Sequence, residues 1–214
     1  MSHHDTPGAA HVVIATRLFH PESAAAALRL KVLSEAFAEH DADVTVLTSR
    51  YGARGSTTDG RVTVSRWPVR RDATGIVRGY LSYMTFDVPL VWRLLSVRRP
   101  DLVISEPPPT TGAVVRMVCG LRRVPYAYYA ADIWSDAVAA MDEPTCVAKV
   151  LRGVESFALR GARTVLAVSE QVRQRAAELG ARDTMLVQNG VDTSLFTAVG
   201  PGLTGEECER FGLT

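Results

Sequence analysis

Short β-branched runs alternate along this chain with segments of helical period, and that alternation restricts its fold more than any other feature. His11–Thr16 (HVVIAT) is apolar without interruption, the pattern of a strand buried on both faces. From Ser23, the expected N-cap, to Glu39, the residues Ala26, Leu30, Leu33 and Phe37 recur at helical spacing. Val44–Thr48 (VTVLT) is the next buried strand. Strand, helix and strand joined by short loops form a βαβ unit, and such a crossover implies parallel strands. The rhythm predicts further strands at Val62–Arg66, Leu102–Ser105, Tyr126–Ala130, Thr164–Ala167 and Met185–Gln188. It predicts helices over Ile76–Val97, from Thr110 or Thr111 as cap to Leu121, over Val147–Leu159, and over Glu170–Leu179 behind a Ser169 cap. Pro89 should kink or break the helix that contains it. Arg50–Gly60, rich in Gly, Ser and Thr, reads as a mobile loop, and Ala137–Thr145 has no clear pattern. The expected fold is α/β: a doubly wound, mostly parallel Rossmann-like sheet with helices on both faces.

With 214 residues, 47% of them hydrophobic and 22% charged, the chain can build one globular core. Residues 1–10 read as a disordered polar tail, 11–196 as the Rossmann-like domain and 197–214 as a linker. In that last stretch Thr204-Gly205-Glu206-Glu207 is a possible capping box. No apolar run reaches the ~20 residues of a spanning helix, because Asp87, Pro89, Arg93 and Arg116 interrupt the two candidates. Met1–Ala10 has no apolar core of a signal peptide. Lys and Arg number 24 against 23 Asp and Glu, and a net charge of +1 gives no argument for nucleic acid as partner. Cys119, Cys146 and Cys208 are odd in number and far apart, which fits a reducing cytosol better than a disulfide scaffold.

Ligands of doubly wound sheets bind outside the carboxyl ends of the strands. The polar segments expected there are Arg17–Glu22, Ser49–Tyr51, Glu106–Thr111, Asp132–Asp136, Ser169-Glu170 and Asn189–Asp192. No Gly-x-Gly-x-x-Gly follows the first strand, and there is neither a Walker A loop nor a Gly-x-Ser-x-Gly elbow. All five histidines lie in the first fifth of the chain, against the usual hydrolase order, and no Cys/His spacing suggests a metal.

The loops themselves resemble a known family. Pro21-Glu22-Ser23-Ala24-Ala25-Ala26-Ala27-Leu28-Arg29 is similar to its first loop and helix start. Arg99-Pro100-Asp101-Leu102-Val103-Ile104 with Pro107-Pro108, and Asp132-Ile133-Trp134-Ser135-Asp136, resemble two further segments. Val168-Ser169-Glu170 and Asn189-Gly190-Val191-Asp192 complete the set. In order and spacing these resemble the N-terminal half of a GT-B, family 4 (group 1) retaining glycosyltransferase of the bacterial surface-glycan type. Two positions depart from that pattern: alanines stand in the first loop where relatives carry a glycine pair, and Ser135 replaces a proline.

The resemblance implies the acceptor-binding half of an enzyme that moves a sugar from a nucleotide-sugar donor to an acceptor hydroxyl. It implies retention of configuration, no metal or other cofactor, and a donor held mainly by a second domain. The half by itself should be inactive. Asp132, just past an apolar strand, is the expected catalytic carboxylate. The expected acceptor or substrate contacts are His20, Glu22, Ser23, Arg29, Glu106, Thr110, Trp134, Ser169, Asn189 and Gly190. Of these, Ser23, Thr110 and Ser169 read as helix caps before they read as ligand contacts. The acceptor would be a polysaccharide or a lipid-linked glycan, and the protein cytoplasmic. Peripheral contact at the inner membrane face would come from the Arg/aromatic stretch 70–99, which holds Arg70, Arg71, Arg78, Tyr80, Tyr83, Trp92, Arg93, Arg98 and Arg99. The alternatives are a nucleotide-sugar 2-epimerase-like domain of the same architecture and a stand-alone flavodoxin-like binding module.

Overall fold

The structure, a computed structural model, describes residues 8–52, 55–72, 77, 79–141 and 144–190. The expected linker 197–214, Asp192, Arg78 and the first seven residues of the expected tail lie outside them.

Among the described residues, eight strands form one sheet: β1 (His11–Ala15), β2 (Asp43–Ser49), β3 (Thr57–Asp59), β4 (Val62–Trp67), β5 (Leu102–Ser105), β6 (Tyr126–Ala130), β7 (Thr164–Ala167) and β8 (Thr184–Leu186). Their spatial order is β3-β4-β2-β1-β5-β6-β7-β8, parallel throughout except where β3 pairs antiparallel with β4. The helices are α1 (Ala25–Glu39), α2 (Tyr80–Ser96), α3 (Pro109–Arg122), α4 (Trp134–Ala139), α5 (Thr145–Gly161) and α6 (Glu170–Glu178).

The crossover from β1 to β2 steps toward one edge of the sheet, and the crossovers from β4 onward step the other way. Right-handed connections therefore send their helices to opposite faces. Val12 and Ile14 of β1 join Leu30, Leu33 and Phe37 of α1 in one core. Val13 and Ala15 of the same strand join Phe86, Leu90 and Leu94 of α2, with Val115, Leu159 and Ala176 from the helices that follow. The change of direction falls between β1 and β5, the place in such sheets beside which ligands bind at the strands' carboxyl ends.

Four local expectations are corrected. Pro89 lies inside α2 without ending it. Proline inside a helix costs about 3 kcal/mol. Fully burying Phe86, Leu90 and Leu94 on one stripe returns about 1.5–3 kcal/mol each, so the helix persists. The expected loop Arg50–Gly60 contains β3, folded back on β4 through Gly60, whose φ of 52° suits a glycine. Ser23 does not cap α1: backbone bonds from Glu22 to Phe19 and from Ala24 to Glu22 delay the start, leaving Ala24 as the N-cap. Neither Thr110 nor Thr111 caps α3, because Pro109, with its φ pre-set for the first helical position, begins the helix earlier. Ser169 does cap α6, its hydroxyl accepting from the Val172 N–H at 3.2 Å.

Candidate functional site

At the carboxyl end of β6 the chain leaves the sheet through Ala131 and Asp132 and enters α4 at Trp134. What holds this turn is Glu155 of α5, which is completely buried. Its carboxylate accepts from the Trp134 N–H at 2.8 Å and the Ser135 N–H at 2.9 Å, so α4 is capped by a neighbouring helix. Asp132 stays exposed at the mouth of a cavity of about 1010 Å³ between α4 and α6. Trp134 and Tyr83 wall one side, edge to face with ring centroids 6.1 Å apart. Ile133, Val138, Met141, Val147 and Val172 make the lining largely apolar. Asp136 is held by Arg175 of α6 through two hydrogen bonds of 2.7 and 2.8 Å. Those bonds pull the Asp136 carboxyl below its usual pKa.

Behind the aromatic pair lies a buried ionic layer. Arg17, the second residue past β1, is 6% exposed, with its guanidinium carbon 3.8 Å from the centre of the Tyr83 ring and 5.8 Å from that of Trp134. Its Nε and one terminal nitrogen have no hydrogen-bond partner among the described residues. Burial lowers its pKa, opposed by Tyr83, Asp87 and Glu106. Asp87 of α2 is 1% exposed and accepts from the Thr111 hydroxyl at 2.6 Å. Burial pushes its carboxyl up. Glu106, just past β5, accepts from Arg29 of α1 at 2.5 Å and from the Thr16 hydroxyl at 3.0 Å. Burial raises its pKa as well, against the opposing pull of Arg29.

The candidate residues therefore separate. Asp132 and Trp134 meet in the α4–α6 cavity, and Ser169 caps the helix whose first turn carries Gln171 and Val172 into its wall. Glu106 and Arg29 bind each other, with Arg29 also lying over the Tyr129 ring at 4.9 Å. Thr110 sits in the first turn of α3 beside Thr111. Glu22 is tied to Arg71 at 2.6 Å, and Arg71 also reaches the Ser49 hydroxyl at 2.7 Å. His20 lines another groove, of about 560 Å³, between α1 and β4. Ser23 is exposed ahead of α1, and Asn189 and Gly190 are exposed beyond β8. The stretch 70–99 is also divided: Arg93 is 9% exposed and donates to the carbonyls of Thr48 and Ser65, while Arg71 is spent on Glu22. Burial lowers the Arg93 pKa to about 10.

Sequence reasoning missed Tyr83, Asp87, Glu155 and Arg175 as parts of this site. A lone acidic residue on the apolar stripe of a predicted helix was the available signal for Asp87 and Glu155. Nothing local announces Arg175, whose partner is 39 residues away.

A mostly parallel Rossmann-like sheet with an open, polar-rimmed cavity at its strand ends has the architecture of one lobe of a GT-B glycosyltransferase. The family profile described as "Glycosyl transferase 4-like domain" matches residues 10–190, and the chain belongs to that family. No curated protein matches the chain. Among solved structures, sucrose-phosphate synthase from Thermosynechococcus elongatus superposes with a TM-score of 0.69 at 13% identity, over 96% of this chain and 53% of the synthase. The catalytic domain of starch synthase IV from Arabidopsis thaliana, bound to ADP and acarbose, gives 0.61 at 12% identity over 87% and 52%. HepE from Anabaena, in complex with UDP-glucose, gives 0.58 at 16% identity over 94% and 50%. These likenesses are of fold, and the chain spans about half the length of each of these neighbours.

Proposed function

We propose that this domain is the acceptor-binding lobe of a retaining, metal-independent hexosyltransferase that builds a bacterial surface polysaccharide or lipid-linked glycan in the cytoplasm. The donor is a nucleotide sugar held mainly by a second lobe, and this lobe alone transfers nothing. The observation that carries the reading is the cavity headed by Asp132: an exposed carboxylate beside an aromatic wall, open at the strand ends of a glycosyltransferase-family fold. The complexes of two neighbours, one with UDP-glucose and one with ADP and acarbose, accord with a sugar nucleotide donor and a glycan acceptor.

In the reaction the bond between the anomeric carbon and the diphosphate oxygen breaks, and its electron pair leaves with the nucleoside diphosphate. A bond forms from the acceptor oxygen to that carbon, on the face the diphosphate leaves. Asp132 orients the acceptor hydroxyl and takes its proton. Trp134 and Tyr83 pack on the acceptor, and Glu155 keeps Trp134 and Asp132 in place through the first turn of α4.

The test is titration of the chain with short glycan acceptors and their lipid-linked forms, followed by backbone amide shifts. Shifts should gather at Asp132, Trp134 and Val172, and Trp134→Ala should weaken binding at least about tenfold, the range of a lost aromatic contact in a buried pocket. Shifts gathering instead in the α1–β4 groove would remove the acceptor role from the α4–α6 cavity.

A further inference from the structure

We infer that the groove between α3, α5 and the end of α6 binds a soluble di- or triphosphate, inorganic or carried on a nucleotide, and is linked by ion pairs to the α4–α6 cavity. The groove has a volume of about 510 Å³, within the range of about 300–1,000 Å³ usual for small-molecule sites. Arg116 of α3 and Lys149, Arg152 and Arg160 of α5 surround it. Among the described residues, the side chains of Lys149, Arg152 and Arg160 make no hydrogen bond or ion pair. The only acid within α3 and α5 is Glu155, which is fully buried. The one acidic residue lining the groove, Glu178, is bound to Arg175 at 2.5 Å.

Two of the arginines lie directly on glycines. A Cβ at Gly161 would stand 2.6 Å from Cδ and Nε of Arg116, and a Cβ at Gly180 would stand 2.5 Å from Nε of Arg160. Arg116 also stacks on the Phe157 ring at 4.0 Å and donates to the Phe157 carbonyl. A guanidinium placed in advance loses little freedom on meeting a phosphate, and it can meet one through two N–H groups. A third glycine, Gly153, lies inside α5 and lines the groove. Glycine inside a helix destabilises it relative to alanine. Here the fold makes no use of the space gained: beyond the backbone of α5, no atom lies within 4 Å of where its Cβ would stand. That space admits a ligand close to the helix backbone, among the cations.

Cations that ring a concavity suit a small anion that enters it, whereas a flat anionic surface would meet only the rim. Glu178 ties the groove to the candidate site. It is bonded to one terminal nitrogen of Arg175, whose Nε and other terminal nitrogen hold Asp136 in the cavity wall. The Asp136 carboxyl, held below its usual pKa first by those bonds from Arg175, feels the charge of Arg152 as well. An anion in the groove repels Glu178 and draws on Arg152, so both effects reach Asp136. The inference is independent of the acceptor reading, because binding is measured with no sugar present.

The test is calorimetric titration of the chain with pyrophosphate, tripolyphosphate, ADP and UDP, with backbone amide shifts recorded alongside. One saturable site should appear, weakening as salt rises. Shifts should gather at Lys149, Gly153 and Gly180 and extend to Arg175 and Asp136. Lys149→Gln with Arg152→Gln should weaken binding at least about tenfold, as expected for lost hydrogen bonds to a charged group. Gly153→Leu keeps the charge and improves the helix, so its Tm should not fall, yet it fills the groove and should weaken binding at least about tenfold. All three replaced residues are exposed, and circular dichroism melts check folding before each titration. ADP or UDP binding at least tenfold tighter than pyrophosphate assigns a nucleotide ligand; equal affinity assigns the phosphate chain alone. Absence of saturable binding, or wild-type affinity in Gly153→Leu, overturns the site. So do shifts confined to the Asp132 region, or capture of anionic vesicles or RNA by a chain that takes up none of the four soluble anions. Unmoved Arg175 and Asp136 amides at saturation overturn the link to the cavity.

Discussion

Glu155 offers the sharpest test of how this site is built. Its carboxylate is fully buried and receives the two backbone N–H groups that begin α4. Hydrogen bonds to a charged group contribute about 1.5–3 kcal/mol each. Glu155→Gln keeps one carbonyl acceptor and turns a donor toward the other N–H, so about 2 kcal/mol should be lost. Glu155→Ala abandons both N–H groups and leaves a cavity, for a loss of about 4 kcal/mol. At about 2–4 °C per kcal/mol for a domain of this size, Tm should fall by about 4–8 °C and about 8–16 °C. Differential scanning calorimetry measures both. Near-ultraviolet circular dichroism should change in the same variants, because Trp134 loses the bond that fixes it against Tyr83. A Glu155→Ala protein that melts within about 2 °C of wild type, with an unchanged aromatic spectrum, would refute this account of α4.

Two further outcomes follow from the same geometry. In the complete enzyme, Asp132→Asn should lower kcat by about tenfold or more, the lower range of general-base effects, with KM for the donor little changed; unchanged transfer kinetics would remove Asp132 from the chemistry. Asp87 has a raised carboxyl pKa because of burial, so its native form binds a proton more readily than its unfolded form. Its contribution to stability is then complete below the ordinary carboxylate range and is lost as pH rises through the raised value. The Tm of Asp87→Asn relative to wild type should accordingly climb between pH 4 and pH 8, and a flat or falling difference would contradict the assignment.

The strand ends were legible because buried parallel strands are written as continuous apolar runs, and the polar residue that ends a run marks the ligand-facing edge. Asp132 and Trp134 stand at such an edge in the sequence, and both line the α4–α6 cavity. Glu106 and Arg29 were also at the edge, but burial makes them partners of each other. Composition cannot show that difference: an arginine that meets a ligand and one that meets a carboxylate 77 residues away have the same neighbours in sequence. Tyr83 and Arg93 fall in one Arg/aromatic stretch of the sequence. The turn of α2 sends Arg93 inward to the carbonyls of β2 and β4 and lays Tyr83 over Arg17.

By itself, then, the sequence settled what local physics decides: where the seven parallel strands and the longer helices lie, and which edge of the sheet is polar, but not the short antiparallel β3 or the short α4. Hydrophobic period and crossover handedness act over a few residues and survive without any knowledge of the rest. Only the tertiary structure decided which charges are spent on one another, that Glu155 anchors α4, and which side of each helix is left outward. Those outcomes depend on side chains tens of residues apart competing for the same buried space, and no window along the chain contains both competitors.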